Sequence, residues 1–168
     1  MTKFVDANII IRAFTENEDK ERCRQVVNEP FVTNTLCLVE AEHSISKIRG
    51  NRVYACQCIK SMFKSNCTII NLDRNLLFES FKRIEKYNLN IFYLINYVTA
   101  LLNNCHEFIS YDKDFDNLEI KRTEPWLNDN FVVWNNLLII SYSSLGQFPT
   151  DIYIYPNPNI ELCKKILV

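Results

Sequence analysis

Glycine is almost missing from this sequence of 168 residues, which contains only Gly50 and Gly146. Loops that cradle a phosphate with backbone amides, such as the P-loop and the dinucleotide-binding fingerprint, need several glycines close together. Both kinds of loop are therefore excluded. If the protein handles phosphate groups, it must do so by other means.

The sequence also lacks an excess of charge of either sign. Its 19 Lys and Arg residues and 20 Asp and Glu residues give a formal net charge of −1. This balance excludes a strongly basic surface over the whole protein, but it leaves room for a local basic face. Hydrophobic residues make up 48% of the chain, which is typical of a folded globular protein. The length fits one domain with a substantial core.

Membrane and secretion signals are missing as well. The most apolar stretch, Phe131 to Tyr142, is short and is interrupted by two asparagines. The first residues do not resemble a signal peptide, because Asp6 interrupts the apolar run. The seven cysteines include no Cys-x-x-Cys pair, which argues against a zinc site and favours free thiols. We therefore expect a cytoplasmic protein that does not contact a membrane.

Short apolar runs alternate with longer helical patterns up to residue 125. This alternation predicts an α/β fold with a central, mostly parallel sheet. The predicted strands cover residues 3–5, 31–33, 68–71, 107–110 and 120–122. The longer predicted helices cover residues 20–28, 35–49, 52–64, 74–87 and 90–103. Helical spacing predicts which apolar side chains of three helices face inward. They are Leu36, Val39, Ile45 and Ile48 in the helix of residues 35–49, Val53, Cys56, Ile59 and Phe63 in the next, and Leu77, Phe81 and Ile84 in the helix of residues 74–87.

The composition changes after Pro125. Residues 126–168 are rich in aromatic residues and asparagine, and they contain three of the five prolines. We predict that residues 126–168 form a C-terminal extension that packs on the domain of residues 1–125. Its expected elements are a β-hairpin formed by residues 137–142 and 151–155 and a short helix over residues 160–167.

Three acidic residues lie at or near the carboxyl ends of the predicted strands. Asp6 follows the first strand, Asp112 follows the fourth, and Glu40 lies in the second turn of the helix after the second strand. Ligands of open α/β sheets bind beyond these strand ends, so the three side chains are expected to converge. Converging acids without basic partners favour a shared Mg²⁺ or Mn²⁺, which suits phosphodiester hydrolysis. Taken alone, each acid is also typical of a helix cap, a turn or a solvated helix face.

Three segments in this order resemble the PIN domain family, and especially its VapC-type toxin ribonucleases. The segments are Phe4-Val-Asp-Ala-Asn8, Leu38-Val-Glu40 and Ile109-Ser-Tyr-Asp-Lys-Asp-Phe115. The last one, an apolar strand followed by Ser/Thr-x-Asp-x-Asp-Phe, is the most specific. The resemblance covers about residues 1–125.

The resemblance implies a three-layer α/β/α fold and metal-dependent cleavage of single-stranded or structured RNA. It implies that Asp6, Glu40 and Asp112 are catalytic. The Mg²⁺ or Mn²⁺ ligands that it implies are Asp6, Glu40, Asp112 and Asp114. Asn8 and Ser110 would orient the carboxylates from a second layer.

One departure from the family pattern concerns the helix before the last motif. Family members usually carry an acid there, and in this sequence the expected acid falls on Tyr93. A preceding variable acid falls on Asn90, and Asn96 lies one turn after Tyr93 on the same face of the helix. An asparagine carbonyl can ligate Mg²⁺ but brings no charge, so the affinity for metal should be lower.

Contacts with RNA would have to come from local basic side chains around an acidic cleft. The candidates are Arg12, Lys47, Arg49, Arg52 and Lys113, each of which is individually more typical of a solvated face. The resemblance makes the chain a candidate toxin of a toxin–antitoxin pair, with an antitoxin protein and a second copy as candidate partners. The tyrosine at position 93 supports an alternative, a degenerate domain that binds RNA or protein without catalysis.

Overall fold

The computed structural model describes residues 2–125 and, beyond them, four strands at residues 131–134, 137–141, 152–156 and 164–166. The chain divides into two compact units, Met1–Pro125 and Trp126–Val168. The described part of the first unit has the order β1 (Lys3–Val5), α1 (Ala7–Phe14), α2 (Lys20–Asn28), β2 (Phe31–Asn34), α3 (Thr35–Arg49), α4 (Arg52–Met62), β3 (Cys67–Ile70), α5 (Arg74–Phe81), α6 (Ile91–Leu102), β4 (Glu107–Ile109) and β5 (Lys121–Thr123).

The five strands of the first unit form one sheet in the order β3-β2-β1-β4-β5, and all neighbours are parallel. Phe4 of β1 pairs with Val32 of β2 on one side and with Phe108 of β4 on the other. The chain builds the sheet outward from β1 to β3 and then returns to the other side of β1. A crevice at such a reversal, between β1 and β4, is where open α/β sheets place their sites.

Helices cover both faces of the sheet, so the three-layer α/β/α prediction is confirmed. Phe4 and Phe108 belong to the core on the α5–α6 side, where their rings stack with centroids 4.8 Å apart. Val5 and Ile109, the next residues along the same strands, belong to the core on the α1–α4 side. Consecutive strand residues point to opposite faces, and both faces are buried in this sheet.

Polar caps define where the main helices begin. Asn34 accepts a hydrogen bond from the backbone amide of Cys37 at the start of α3, and Asp73 does the same for Leu76 in α5. Helix α3 ends at Gly50, whose φ of 60° is the left-handed conformation that glycine adopts easily. These boundaries agree with the sequence prediction because capping is a local property.

The inward faces of three helices agree only in part with the prediction. Ile45 is fully buried as predicted, and Leu36, Ile59 and Leu77 pack against the cores. Six other side chains predicted to face inward are instead largely exposed, namely Val39, Ile48, Val53, Phe63, Phe81 and Ile84. In α3 the other buried positions include Leu38 and Ala41, which were not part of the predicted face. Small and aliphatic residues lie all around these helices, so periodicity alone did not identify the arc that meets the sheet. Helix α5 also ends at Phe81, six residues earlier than predicted.

The second unit contains a four-stranded antiparallel sheet in the order β6 (Phe131–Trp134), β7 (Leu137–Ser141), β8 (Ile152–Pro156) and β9 (Lys164–Ile166). Strands β7 and β8 pair with Ile139 opposite Ile154. The predicted helix over residues 160–167 is wrong for Lys164–Ile166, because these residues form a strand that pairs with β8. The rest of that predicted helix, and its packing on the first domain, lie outside the described residues. No helix in the described part of the chain is long and apolar enough to cross a membrane.

Candidate metal centre

Asp6 lies at the carboxyl end of β1, and its side chain is only 4% exposed. Its Oδ2 atom accepts hydrogen bonds from Asn8 Nδ2 and from the Ser110 hydroxyl, both at 2.8 Å. The backbone amide of Asp6 donates to the carbonyl of Ile109 at the end of the neighbouring strand β4. The parallel pairing of β1 and β4 therefore brings Asp6 and Ser110 together although 104 residues separate them.

Ser110 connects the two strand ends. Its Oγ atom donates to Asp6 and accepts from Asn8 Nδ2 at 2.9 Å and from the backbone amide of Asp112 at 3.0 Å. Asn8 also accepts from the Tyr111 amide at 3.3 Å through Oδ1. The side chains of Asn8 and Ser110 thus hold Asp6 and the backbone of Asp112 in one hydrogen-bonded arrangement, as a positioning role requires.

A second group of polar side chains contacts the other carboxylate oxygen of Asp6. Asn96 of α6 donates its Nδ2 group to Asp6 Oδ1 at 3.3 Å. Its own Oδ1 accepts from Asn34 Nδ2 at 2.9 Å, and Asn34 also donates to Thr99 Oγ1 at 3.0 Å. Asn34, Asn96 and Thr99 are all fully or almost fully buried. Because the side-chain oxygen of Asn96 accepts a hydrogen bond from Asn34, its side-chain NH₂ group is oriented to donate to Asp6.

Burial and negative charge act together on Asp6. The pKa of Asp6 is raised to about 6, mainly by burial and also by the nearby charges of Glu40 and Asp112, while the hydrogen bonds from Ser110 and Ala7 act in the opposite direction. Partial burial also raises the pKa of Glu40 at the rim. Among the described side chains, no Lys, Arg or His pairs with these acids or with Asp114.

Asp112 and Asp114 belong to the short 3₁₀ turn that follows β4. The carboxylate of Asp112 accepts the backbone amide of Asp114 at 3.0 Å. The nearby Asp112 carboxylate is the main reason why the pKa of the Tyr93 hydroxyl is raised. The Tyr93 ring packs on Phe115 with the centroids 5.2 Å apart. The residue at the position of the expected family acid therefore contacts the same carboxylate centre with a phenol.

The fit of this centre to a divalent cation can be judged from its donors. No group of three or more His, Cys, Asp or Glu side chains within the described residues is close enough together to hold a metal ion. The donors are nevertheless carboxylates whose charge is not offset by basic groups, and hard cations such as Mg²⁺ and Mn²⁺ prefer such oxygen ligands. The chemistry of the centre fits such an ion.

Asn90 has a capping role that differs from that of a metal ligand. Its Oδ1 atom accepts the Tyr93 backbone amide at 3.0 Å at the start of α6. Asn96, in contrast, lies inside the centre as described above. Asn90 therefore caps a helix, whereas Asn96 supports Asp6.

Most of the predicted RNA-contacting cations already have acidic partners. Arg12 pairs with Asp19 at 2.9 Å and lies over the Tyr111 ring, 4.4 Å from its centroid. The other two paired arginines are Arg49, which is 3.4 Å from Glu16, and Arg52, which is 3.8 Å from Glu42. Lys47 and Lys113 are exposed and pair with no acid among the described side chains.

Sequence reasoning missed two residues that support the centre. The first is Asn34, which caps α3 through its side-chain oxygen and orients Asn96 through its amide nitrogen. Arg122 donates to the Ser110 carbonyl at 2.8 Å and is held by Asp116 and Glu124. A buried asparagine directly after a strand was a signal for the first residue. Nothing local in the sequence indicated the second, because its contact crosses from β5 to β4.

The fold and the site define a parallel α/β protein with a carboxylate centre at the switch point of its sheet. The sequence matches the PIN domain family over residues 3–121, and the chain belongs to that family. A comparison with curated protein sequences finds no match.

Solved structures share the fold at low sequence identity. The toxin VapC20 from Mycobacterium tuberculosis, described as cleaving the sarcin-ricin loop, has a TM-score of 0.61 at 10% identity, over 71% of this chain and 96% of the other. A toxin–antitoxin complex from Klebsiella pneumoniae has a TM-score of 0.59 at 18% identity, over 74% and 98%. VapBC2 from Rickettsia felis, bound to a promoter DNA fragment, has a TM-score of 0.53 at 17% identity, over 74% and 98%.

Proposed function

We propose that the protein is a metal-dependent endoribonuclease that hydrolyses RNA phosphodiesters. The observation that carries this proposal is Asp6, a buried carboxylate that three side chains hold in place and that has no basic partner among the described residues. A fold that buries a negative charge beside Glu40 and Asp112 bears a cost that a bound cation would remove. Members of the PIN family are typically magnesium-dependent nucleases.

The residues of the centre divide into ligands and supports. Asp6, Glu40, Asp112 and Asp114 would hold Mg²⁺ or Mn²⁺. When bound, the ion supplies an activated water and offsets the charge that develops on the phosphate. Ser110 and Asn8 keep Oδ2 of Asp6 in one orientation, and Asn96 does the same for Oδ1. These supports reduce the reorganisation that the carboxylate needs during the reaction.

The activity can be tested directly on the purified full-length chain. We expect single-stranded RNA to be cut in Mg²⁺ or Mn²⁺, and cutting to stop in EDTA and in the variants Asp6→Asn and Asp112→Asn. Asp73→Asn is a matched control, because Asp73 only caps α5. Cutting that persists in EDTA and in both centre variants would disprove the proposal.

Tyr93 supports a second candidate function, a non-catalytic module that binds RNA or protein. Its hydroxyl interacts with Asp112 where a further carboxylate would strengthen a metal site. Calorimetric titration with Mn²⁺ separates the two candidates. A single site that Asp112→Asn weakens supports the nuclease, whereas an absence of heat together with RNA binding supports the module.

We further propose an antitoxin protein and a second copy of this chain as partners. The support for the antitoxin is that similar solved structures are toxins and toxin–antitoxin complexes. Expression in a host cell should then arrest growth, and co-expression of a small antitoxin-like protein encoded directly upstream should relieve the arrest. Light scattering of the purified chain tests the homodimer.

A further inference from the structure

A pocket of about 460 Å³ lies beside the carboxylate centre, between α3 and the start of α6. Its volume is within the range of roughly 300–1,000 Å³ that is usual for small-ligand sites. The lining is mainly apolar, and its residues are Leu36, Val39, Glu40, His43, Asn90, Phe92 and Tyr93. Because Glu40 and Tyr93 belong both to this pocket and to the carboxylate centre, the two sites are continuous.

The apolar groups of this pocket are unusually accessible. Val39 is 67% exposed and Phe92 is 58% exposed, although both are large apolar side chains. Neither position supports the fold through burial, since the neighbouring residues Leu38 and Leu94 fill the cores. An exposed aromatic ring beside a reactive centre is suited to stacking on a ligand.

From these observations we propose that the pocket binds one unpaired nucleobase of the RNA strand, next to the phosphodiester at the carboxylate centre. The Phe92 ring supplies the stacking surface, with Val39 and Leu36 as apolar walls. The Asn90 Oδ1 atom is used by its capping bond, which leaves its Nδ2 group as a donor for the polar edge of the base. This inference rests on the proposed ribonuclease function.

The charges of the protein favour a base over a phosphate as the main source of binding. The centre is acidic and repels the RNA backbone, and the arginines predicted to contact RNA are paired with acids. Ionic contacts from Lys47 and Lys113 are few, so affinity has to come largely from contacts without charge. Stacking of single-stranded bases on aromatic side chains provides such contacts and discriminates against paired bases.

Fluorescence anisotropy with short single-stranded RNA, in Ca²⁺ to limit cleavage, tests the pocket. We expect Phe92→Ala to weaken binding by roughly 5- to 100-fold. Phe78→Ala is the matched control, because Phe78 is 63% exposed on α5 and does not line the pocket. A second test uses oligonucleotides in which one base is removed to leave an abasic site. For the wild type, an abasic site at one particular position should lower the affinity about as much as Phe92→Ala does. For Phe92→Ala, an abasic site at that position should cause no further loss of affinity.

The outcomes separate this inference from the function on which it rests. RNA that is bound with the abasic signature but never cut in Mg²⁺ or Mn²⁺ supports the pocket and contradicts the nuclease. RNA that is cut while Phe92→Ala behaves like Phe78→Ala contradicts the pocket alone. If Phe92→Ala changes only the oligomeric state seen by light scattering, the pocket is a protein interface and the inference is wrong. Failure of the wild type to bind RNA contradicts both.

Discussion

Asn96 donates its side-chain amide to Oδ1 of Asp6 across 3.3 Å, although 90 residues of sequence separate them. Both side chains are buried, and Asn34 occupies the carbonyl of Asn96. The contact links α6 to the end of β1, so the helix that lacks the expected family acid still touches the centre. It does so as a hydrogen-bond donor that favours the ionised form of Asp6, against the larger effect of burial.

The raised pKa of Asp6 predicts how stability depends on pH. Its value of about 6 exceeds that of an aspartate in the unfolded chain, so the folded protein binds more protons between about pH 4 and 6. Stability should therefore fall as the pH rises through this window. Above about pH 6 the free energy of unfolding should stay lower by on the order of 3 kcal/mol, because each pKa unit corresponds to about 1.4 kcal/mol.

Urea unfolding of the metal-free wild type and of Asp6→Asn across pH 4 to 7 measures this effect. The variant also loses hydrogen bonds, but that loss does not depend on pH. The pH dependence of the difference in free energy of unfolding between the two proteins therefore reports the titration of Asp6. We expect the wild type to lose stability relative to the variant as the pH rises. A difference that stays constant across the window would contradict the pKa argument.

Replacing Tyr93 by aspartate should strengthen the metal site. The change removes the phenol that interacts with Asp112 and adds a carboxylate at the position where the family usually has an acid. An added ligand charge should raise the affinity for Mn²⁺ on the order of tenfold. Calorimetric titration measures this gain.

Tyr93→Phe is the control for this change, because it keeps the packing on Phe115 and removes only the hydroxyl. Its affinity for Mn²⁺ should stay below that of Tyr93→Asp. If the two variants bind the ion equally well, the added carboxylate does not reach the centre.

Ser110→Ala should affect stability and metal binding together. The change removes the hydroxyl that serves Asp6, Asn8 and the Asp112 amide, so buried polar groups lose a partner. The expected loss of stability is roughly 1–3 kcal/mol, and the affinity for metal should fall by roughly 10- to 100-fold.

Ser80→Ala is a matched control for the serine at the centre. Ser80 is also fully buried, but its hydroxyl only donates to the Leu76 carbonyl within α5. Thermal unfolding with and without Mn²⁺ compares the two variants. The Mn²⁺-dependent rise in Tm should shrink in Ser110→Ala and stay unchanged in Ser80→Ala; equal responses would rule out a positioning role for Ser110.

The salt dependence of RNA binding should distinguish the lysines from the paired arginines. Lys113 lies next to Asp112 and pairs with no acid among the described side chains, so its removal should lower the logarithmic salt slope by about 0.7. Arg49 is already bound to Glu16, so Arg49→Ala should change the slope less. Anisotropy titrations between low and physiological salt provide the slopes, and a larger change for Arg49→Ala would reverse this assignment.

The sequence predicted the centre better than it predicted the helix packing. Asp6 was recognised because a residue at a strand end occupies a position that the topology of parallel sheets defines, whereas Asn8 and Ser110 were expected only from the resemblance to the PIN family. The exposed Val53 and Phe63 were predicted to be buried, because the helical period gives a repeat but does not say which arc meets the sheet. Only contacts between elements decide that choice.

Tyr93 also shows the difference between what a sequence pattern predicts and what contacts between elements decide. Sequence reasoning found that an acid was missing there, which is a property of one position in a pattern. It left open whether a tyrosine fills space or joins the centre. The packing of its ring on Phe115 and the interaction of its hydroxyl with Asp112 answer this, and both depend on how α6 lies against the turn after β4.

Local chemistry in the sequence by itself determined the alternation of strands and helices, the caps such as Asn34, and the order of acids at strand ends. These features depend on neighbouring residues and on the period of the backbone. The tertiary structure decided the network from Asn34 through Asn96 to Asp6, the pairing of the arginines, and the pocket beside Glu40. Such contacts join residues that are far apart in the chain, and they follow from sheet order and helix packing, which no local pattern encodes.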